Sequence, residues 1–390
     1  MAHERKRHIF DIIQKRAKLW PVVGILGPRQ CGKSTLLRHQ LKNGTYITLD
    51  SPSTRRAAEK APELFIRDAL SESPKLTIDE IQKAPDLFDT IKLLVDEHRR
   101  PGTFFISGST QFSTKVGIRE SLTGRIGLQR LYPLTSAELN SVPFRKPLVE
   151  LAHEKPRRGS SLSNAEVLKC ARLGGMPGHC FLRSERERQD YLRGWLETTC
   201  YRDSIQILKA KPQPALLDQI FRFLAVNPFT DIAEISTTIG EDARRIRSHV
   251  EILEDLFVIS RIDPSVLGAG KPKFFVSDSG FGCTLGASDL NTLKIWFANE
   301  LLAQFEYSGE NKLRLEYFRS KNKSVLDFIL PEYQIAFLIS DEEHCHEYTL
   351  RAPISFAKNH PTWRVFVVSP TSSAYKVHER VQVLPWSSLC

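Results

Sequence analysis

The sequence predicts an α/β protein: a doubly wound parallel sheet at the N-terminus, then a helical segment, then a second α/β domain. Three observations carry this. Short apolar runs alternate with helical patterns between residues 22 and 107. Helical periodicity then dominates residues 164–256. From Lys271 onward the texture turns β-rich.

The elements follow in order. Residues 1–20 form a basic amphipathic helix ending at Trp20-Pro21. Val22–Leu26 is a short apolar run suited to a buried parallel strand. A glycine-rich turn follows, and a helix opens at Ser34-Thr35. Further strands are predicted at 46–50, 76–79 and 103–107, with a helix over 87–95. The module closes near residues 131–134. Prolines 143, 147 and 156, with Gly159 and nearby serines, mark an exposed loop or linker. Helices over 164–209 break at Gly174-Gly175-Met176-Pro177-Gly178. Three helical patterns over 215–256 lead to a strand at 257–260, and later strands fall at 274–276, 315–318, 325–330, 335–339 and 365–368. The expected organisation is therefore 1–140, a linker at 141–163, a helical domain at 164–268 and a β-rich domain at 269–390.

A chain of 390 residues, 41% apolar and 26% charged, has the side chains for several cores. This excludes a disordered or collagen-like chain. The seven cysteines are scattered and form no Cys-x-x-Cys pair, which excludes a disulfide framework and a zinc ribbon. His344-Cys345-His346 is the one local metal-like cluster, but adjacent residues on a strand point to opposite faces. No window approaches the ~18 apolar residues of a membrane span, and the charged N-terminus carries no signal-peptide pattern. The expected setting is cytoplasmic, with no membrane partner. A net charge of +10 permits nucleic acid or another anionic partner without requiring one.

Gly27, Pro28, Arg29, Gln30, Cys31, Gly32, Lys33 and Ser34, followed by Thr35, fit G-x-x-x-x-G-K-[ST] at every defined position. The glycines let the backbone turn its amides toward the phosphates. The helix starting near Lys33 adds its positive dipole end. Lys33 bridges phosphate oxygens and Ser34 ligates Mg²⁺. The substrate and cofactor expected are therefore ATP and Mg²⁺. Asp79-Glu80 ends a neighbouring strand: Asp79 would hold the metal and Glu80 would polarise the attacking water. Two adjacent acids favour hydrolysis over transfer to an acceptor. Ser109, in Ser107-Gly108-Ser109-Thr110, would stand beside the γ-phosphate. Arg125, in Thr123-Gly124-Arg125, is the candidate for completing a neighbouring subunit's site, which predicts a homo-oligomer. Cys31 lies inside the loop, so a thiol reagent is expected to block ATP binding.

The order of motifs resembles a family of bacterial and archaeal AAA-type ATPases. The residues carrying the resemblance are GPRQCGKST (27–35), TIDEIQKAPDLF (77–88), ISGSTQF (106–112), SLTGRI (121–126), LYPLTSAEL (131–139), GGMPG (174–178), YLRGWLETTCYRD (191–203) and VEILEDLFVISRI (250–262). The resemblance implies a P-loop NTPase sheet, then a winged-helix segment and a fold similar to restriction-endonuclease-like (PD-(D/E)xK) nucleases. It also implies Lys33, Ser34, Asp79 and Glu80 as nucleotide residues.

Residues 230–253 read as a helix-turn-helix with Gly240 in the turn. Arg244, Arg245 and Arg247 sit where a recognition helix meets phosphates and base edges, so double-stranded DNA or a protein is the expected partner. In the nuclease-like segment, Asp327 stands at the metal-binding aspartate position. The Glu and Lys of the pattern fall on Ala336 and Leu338, and Lys294 replaces the usual helix acid, with Glu300 further along. The expectation is a degenerate nuclease fold. Rival readings are an ATP-dependent switch with little turnover, an ATP-dependent nuclease and, last, a small-molecule kinase.

Overall fold

In the computed structural model, which describes residues 5–41, 44–111, 122–154, 162–204, 213–310, 313–322 and 324–389, the N-terminal strands are β1 (Val22–Leu26), β2 (Thr45–Thr48), β3 (Leu76–Asp79), β4 (Phe104–Gly108) and β5 (Ile126–Arg130). All pair in parallel, in the spatial order β2-β3-β4-β1-β5. β1, β3 and β4 are buried along their whole length, as central parallel strands covered on both faces must be. Helices α1 (Phe10–Ala17), α2 (Lys33–Thr35), α3 (Pro52–Lys60), α4 (Pro62–Glu72) and α5 (Leu87–Glu97) fill the gaps, and α2 runs on as the π-wound residues Leu36–Gln40.

Side-chain alternation in β1 divides the packing. Val22 and Leu26 join the core formed with Ile66 of α4 and Ile91 of α5. Val23 and Ile25 join a larger core that continues through Trp195 and Phe281 of the second half. The sheet thus shares one of its two apolar faces with the C-terminal half. β5 was not among the expected strands: Gly127, Gln129 and Arg130 dilute its apolar signal. The basic N-terminal helix begins only at Phe10, and residues 1–4 of that expected helix lie outside the described residues.

The second half opens with α6 (Ser136–Leu139), α7 (Pro147–Ala152), α8 (Asn164–Leu173) and α9 (Glu185–Leu196), which continues π-wound through Glu197–Asp203. Three capping boxes start α6, α8 and α9, each pairing a hydroxyl with a glutamate three residues on: Thr135 with Glu138, Ser163 with Glu166, Ser184 with Glu187. α7 lies in the expected exposed loop, yet Leu148, Val149, Leu151 and Ala152 are buried. The prolines around it mask this apolar run. The expected linker residues 155–161 and helical residues 205–209 lie outside the described residues.

α10 (Pro214–Val226), β6 (Thr230–Asp231), α11 (Ile232–Ile239) and α12 (Ala243–Asp255) lead into a hairpin of β7 (Ile259–Pro264) and β8 (Lys273–Val276). Asp231 and Asp242 cap α11 and α12, and Gly240, at φ +79°, makes the left-handed turn between them. α13 (Asp289–Ser308) precedes β9 (Glu316–Arg319), β10 (Val325–Leu330) and β11 (Ile335–Ile339). α14 (Glu347–Asn359), β12 (Arg364–Ser369), β13 (Tyr375–His378) and β14 (Val381–Pro385) follow. The nine strands from β6 onward form one mixed sheet in the order β13-β14-β12-β11-β10-β9-β7-β8-β6. The expected boundary at 268 falls inside the β7–β8 hairpin, and β7 also pairs with β9. The helical and β-rich segments are joined through one sheet.

Candidate nucleotide site

Parallel pairing brings three chain segments to one edge. The loop after β1, the acids after β3 and the serines after β4 all emerge at the carboxyl ends of their strands, where open α/β sheets bind ligands. β4 stands between β1 and β3, so Ser107 and Ser109 lie between the loop and the acid pair.

The loop is held tightly. A Cβ at Gly27 would fall 2.3 Å from the Leu131 carbonyl oxygen, so only glycine fits there. Gly32 has φ +104° and Gln30 φ +62°, the latter unfavourable for a residue with a Cβ. Lys33 is buried, and its ammonium donates to the carbonyls of Gly27 (3.0 Å) and Pro28 (2.9 Å), inside the curve of the loop. Arg7 supports the loop from the N-terminus, donating to the carbonyls of Cys31 (2.7 Å) and Tyr132 (2.6 Å) and pairing with Glu138 at 3.1 Å. Burial opposes the Arg7 charge, but Glu138 more than offsets this and pushes its pKa upward. Cys31 is fully buried in the shared core, with its sulfur 3.7 Å from the Leu131 carbonyl. The expected block by a thiol reagent is therefore corrected: the thiol faces the core, beyond the reagent's reach in the folded chain.

The acids are organised by hydroxyls. Asp79 is buried and accepts from Ser107 Oγ and, at 2.6 Å, from Tyr46 Oη. Burial and the neighbouring Asp79 carboxylate both push the Tyr46 phenol up, so it stays a donor. Glu80 has φ +59°, a strained conformation fixed by its amide donating to Ser107 Oγ at 3.1 Å. Its carboxylate accepts from Ser109 Oγ at 3.1 Å and from Gln82 Nε2, and Gln82 Nε2 also reaches Ser109 Oγ at 3.1 Å. Among the described residues the buried Gln82 amide oxygen has no hydrogen-bond partner.

Of the predicted residues, the structure brings Gly27 to Thr35, Asp79, Glu80 and Ser109 to this edge. Arg125 is not brought there. It precedes β5 at the opposite, amino edge and donates through Nε and Nη2 to the two Asp96 carboxylate oxygens, at 2.7 Å each. Tyr46, Gln82, Ser107 and Arg7 are additions. Gln82 lay within the motif 77–88 and Ser107 within 106–112; the contacts of Tyr46 and Arg7 are made across the fold and carry no local signal.

In the second half, Arg244 and Arg247 are exposed near the start of α12, whereas Arg245 is tied to Glu241 at 2.7 Å. The far end of α12 touches the segment that follows β4: the Gln111 amide, two residues past Ser109, donates to the Asp255 carbonyl at 2.8 Å. Asp327 is paired with Lys294 at 2.7 Å and accepts from the Ile339 amide at 2.8 Å. The β10–β11 register pairs Ile329 with Ala336, which puts Leu338 opposite Asp327 and Ala336 on the same face. Glu300 lies elsewhere, accepting from the Ser136 amide at 2.5 Å, and burial pushes its carboxyl up to about 7. Among the described residues no group of three or more His, Cys, Asp or Glu could hold a metal ion, and no helix is long and apolar enough to cross a membrane.

Residues 20–140 match the sequence profile of an AAA domain, and residues 166–293 that of a domain of unknown function (DUF8612). Two uncharacterized proteins, one from Mycobacterium bovis and one from Mycobacterium tuberculosis, are each 28% identical over 267 residues. The alignment covers 67% of this chain and 55% of each relative, so the chain spans about half their length. Among solved structures, a Walker-type ATPase of Pyrococcus abyssi aligns over 72% of this chain and 95% of its own, at 15% identity and a TM-score of 0.41. The ORC1 protein of Aeropyrum pernix, solved in complex with DNA, aligns over 78% and 95%, at 13% identity and a TM-score of 0.31. Residues 20–140, the part that matches the AAA domain, carry a five-stranded parallel sheet and the phosphate-loop spacing. A mixed-sheet domain follows it.

Proposed function

We propose that this chain is a Mg²⁺-dependent ATPase of the AAA type whose cycle is coupled to duplex DNA through a winged-helix module. The observation that carries the catalytic part is the convergence of loop 27–35, Asp79-Glu80 and Ser107–Ser109 on one strand edge. The N–H groups of residues 29–34 and the Lys33 ammonium are offered to the phosphates. Lys33 already lies inside the loop, where it would exchange carbonyl partners for phosphate oxygens. Ser34 and Asp79 are the residues that would hold Mg²⁺, and Asp79 fits because its partners are neutral hydroxyls that leave its charge uncompensated. When bound, the ion offsets charge on the phosphate oxygens. Glu80 accepts a proton from the attacking water, aligned by Ser109 and Gln82. Arg125 enters only across the interface of a homo-oligomer.

For the second half, the order α10-β6-α11-α12-β7-β8 supports a winged-helix reading, in which α12 would take the recognition position. Its hairpin is tied to β9 by β7, so contact with DNA falls to α12, where Arg244 and Arg247 are exposed. The Gln111–Asp255 hydrogen bond supports coupling, since it joins α12 to the strand end that carries Ser109. The test is duplex binding at several salt concentrations. Replacing Arg244 and Arg247 together by Ala should weaken binding roughly tenfold or more and lower the salt slope by about two. Unchanged affinity and slope would remove α12 as the interface.

A further inference from the structure

The phosphate loop is also held by the second half. Tyr191 and Trp195 are four residues apart on α9, on one face of the helix. Tyr191 Oη donates to the Gln30 side-chain carbonyl at 2.6 Å, and Trp195 Nε1 donates to the Arg29 main-chain carbonyl at 3.3 Å. Both side chains are braced from behind. Trp195 is buried against Phe281 (ring centroids 4.8 Å) and Phe221 of α10 (5.7 Å). A Cβ at Gly178 would come within 2.5 Å of the Tyr191 ring, so glycine there makes room for it. Burial pushes the Tyr191 phenol up, so it is a donor at any physiological pH.

These contacts fall where the loop most needs them. Gln30 is the loop residue that carries a Cβ in the left-handed region, a conformation such a residue leaves unless neighbours impose it. Trp195 fixes the carbonyl just before it, Tyr191 fixes its side chain, and Arg7 fixes the carbonyl just after it.

We infer that Tyr191 and Trp195 are positioning residues of the nucleotide site: α9 holds residues 29–31 in the conformation that turns their amides toward phosphate. This rests on the nucleotide reading given above. It follows that phosphate on the loop is felt at Trp195, and through Phe221 at α10, the first helix of the DNA-facing module.

The experiment uses the full chain, a fluorescent ATP analogue and intrinsic tryptophan emission. Five tryptophans are present, so Trp195→Phe assigns the signal while keeping an aromatic ring in the core. Tyr191→Phe should weaken nucleotide binding about tenfold and raise KM by a similar factor with kcat within twofold. Nucleotide should change the tryptophan emission of the parent but not of Trp195→Phe. A purely structural role would lower the melting temperature without this split. Gln30→Ala removes the acceptor without touching α9 and should match Tyr191→Phe; it decides the matter if Tyr191→Phe misfolds. Parent-like binding in Tyr191→Phe and Gln30→Ala, or emission that is nucleotide-insensitive at Trp195, overturns the inference. Lys33→Ala separates the two layers. If it binds nucleotide like the parent, the site reading itself fails. If it does not bind while Tyr191→Phe does so normally, only the present inference falls.

Discussion

Asp79 and Asp327 are the same residue type in strands of two different sheets, and their surroundings are opposite. Asp79 sits at the carboxyl edge of the parallel sheet, accepts from two hydroxyls and is followed by a second acid. Hydroxyls orient a carboxylate without pairing it with a cation, so among the described residues no basic side chain stands as the partner of Asp79. Asp327 faces an ammonium at 2.7 Å and a backbone amide, with Leu338 and Ala336 where further ligands would be needed. Its charge is already matched. A motif residue is a metal site only when its neighbours leave its charge unmet, and the neighbours come from other strands.

Several variants would break this contrast. Lys33→Ala should have the largest effect, lowering ATP affinity about 100-fold or more, read by equilibrium titration. Glu80→Gln should keep nucleotide bound within about twofold but cut turnover about 100-fold, read as phosphate release. Turnover at the parent rate would remove Glu80 from the chemistry. Gln82→Ala should lower turnover roughly tenfold with little change in affinity, because it orients Glu80 without touching the loop. At the other sheet, Asp327→Asn should leave ATP turnover unchanged and alter stability by about 1 kcal/mol or less, since Lys294 stays partly exposed.

Glu300 adds a pH signature to the junction between the halves. Burial raises its folded pKa from 4.5 to about 7. The protonated form is therefore favoured by folding, and this contribution is complete below about 4.5 and lost as pH rises toward 7. Denaturation midpoints should fall across that range in the parent, and Glu300→Gln should flatten the dependence.

The N-terminal sheet and its candidate site were legible where their signals are local. Val22–Leu26, the loop spacing and Leu76–Asp79 are short runs whose meaning needs no partner. β5 was not, because Gly127, Gln129 and Arg130 interrupt its apolar pattern. The hydroxyls on Asp79 come from β2 and β4, so their role appears only with the strand order. The spacing of the loop says nothing about which way Cys31 faces, and burial reversed that expectation. Tyr191 and Trp195 lay in a recognisable segment, but their contact with the loop spans more than 160 residues. In the second half, prolines hid α7, and the pairing of β7 with β9, which carries one sheet across position 268, is invisible to composition. The Lys294–Asp327 pair was foreshadowed by a lysine in an acid's position, while Glu300 turned out to serve the junction with Ser136.

The contrast between the two aspartates is tested most directly by titrating ATP into the parent, Asp79→Asn and Asp327→Asn chains, with and without Mg²⁺. The account predicts that Mg²⁺ strengthens ATP binding in the parent and in Asp327→Asn, and that Asp79→Asn loses this enhancement. An enhancement that survives in Asp79→Asn and disappears in Asp327→Asn would contradict it.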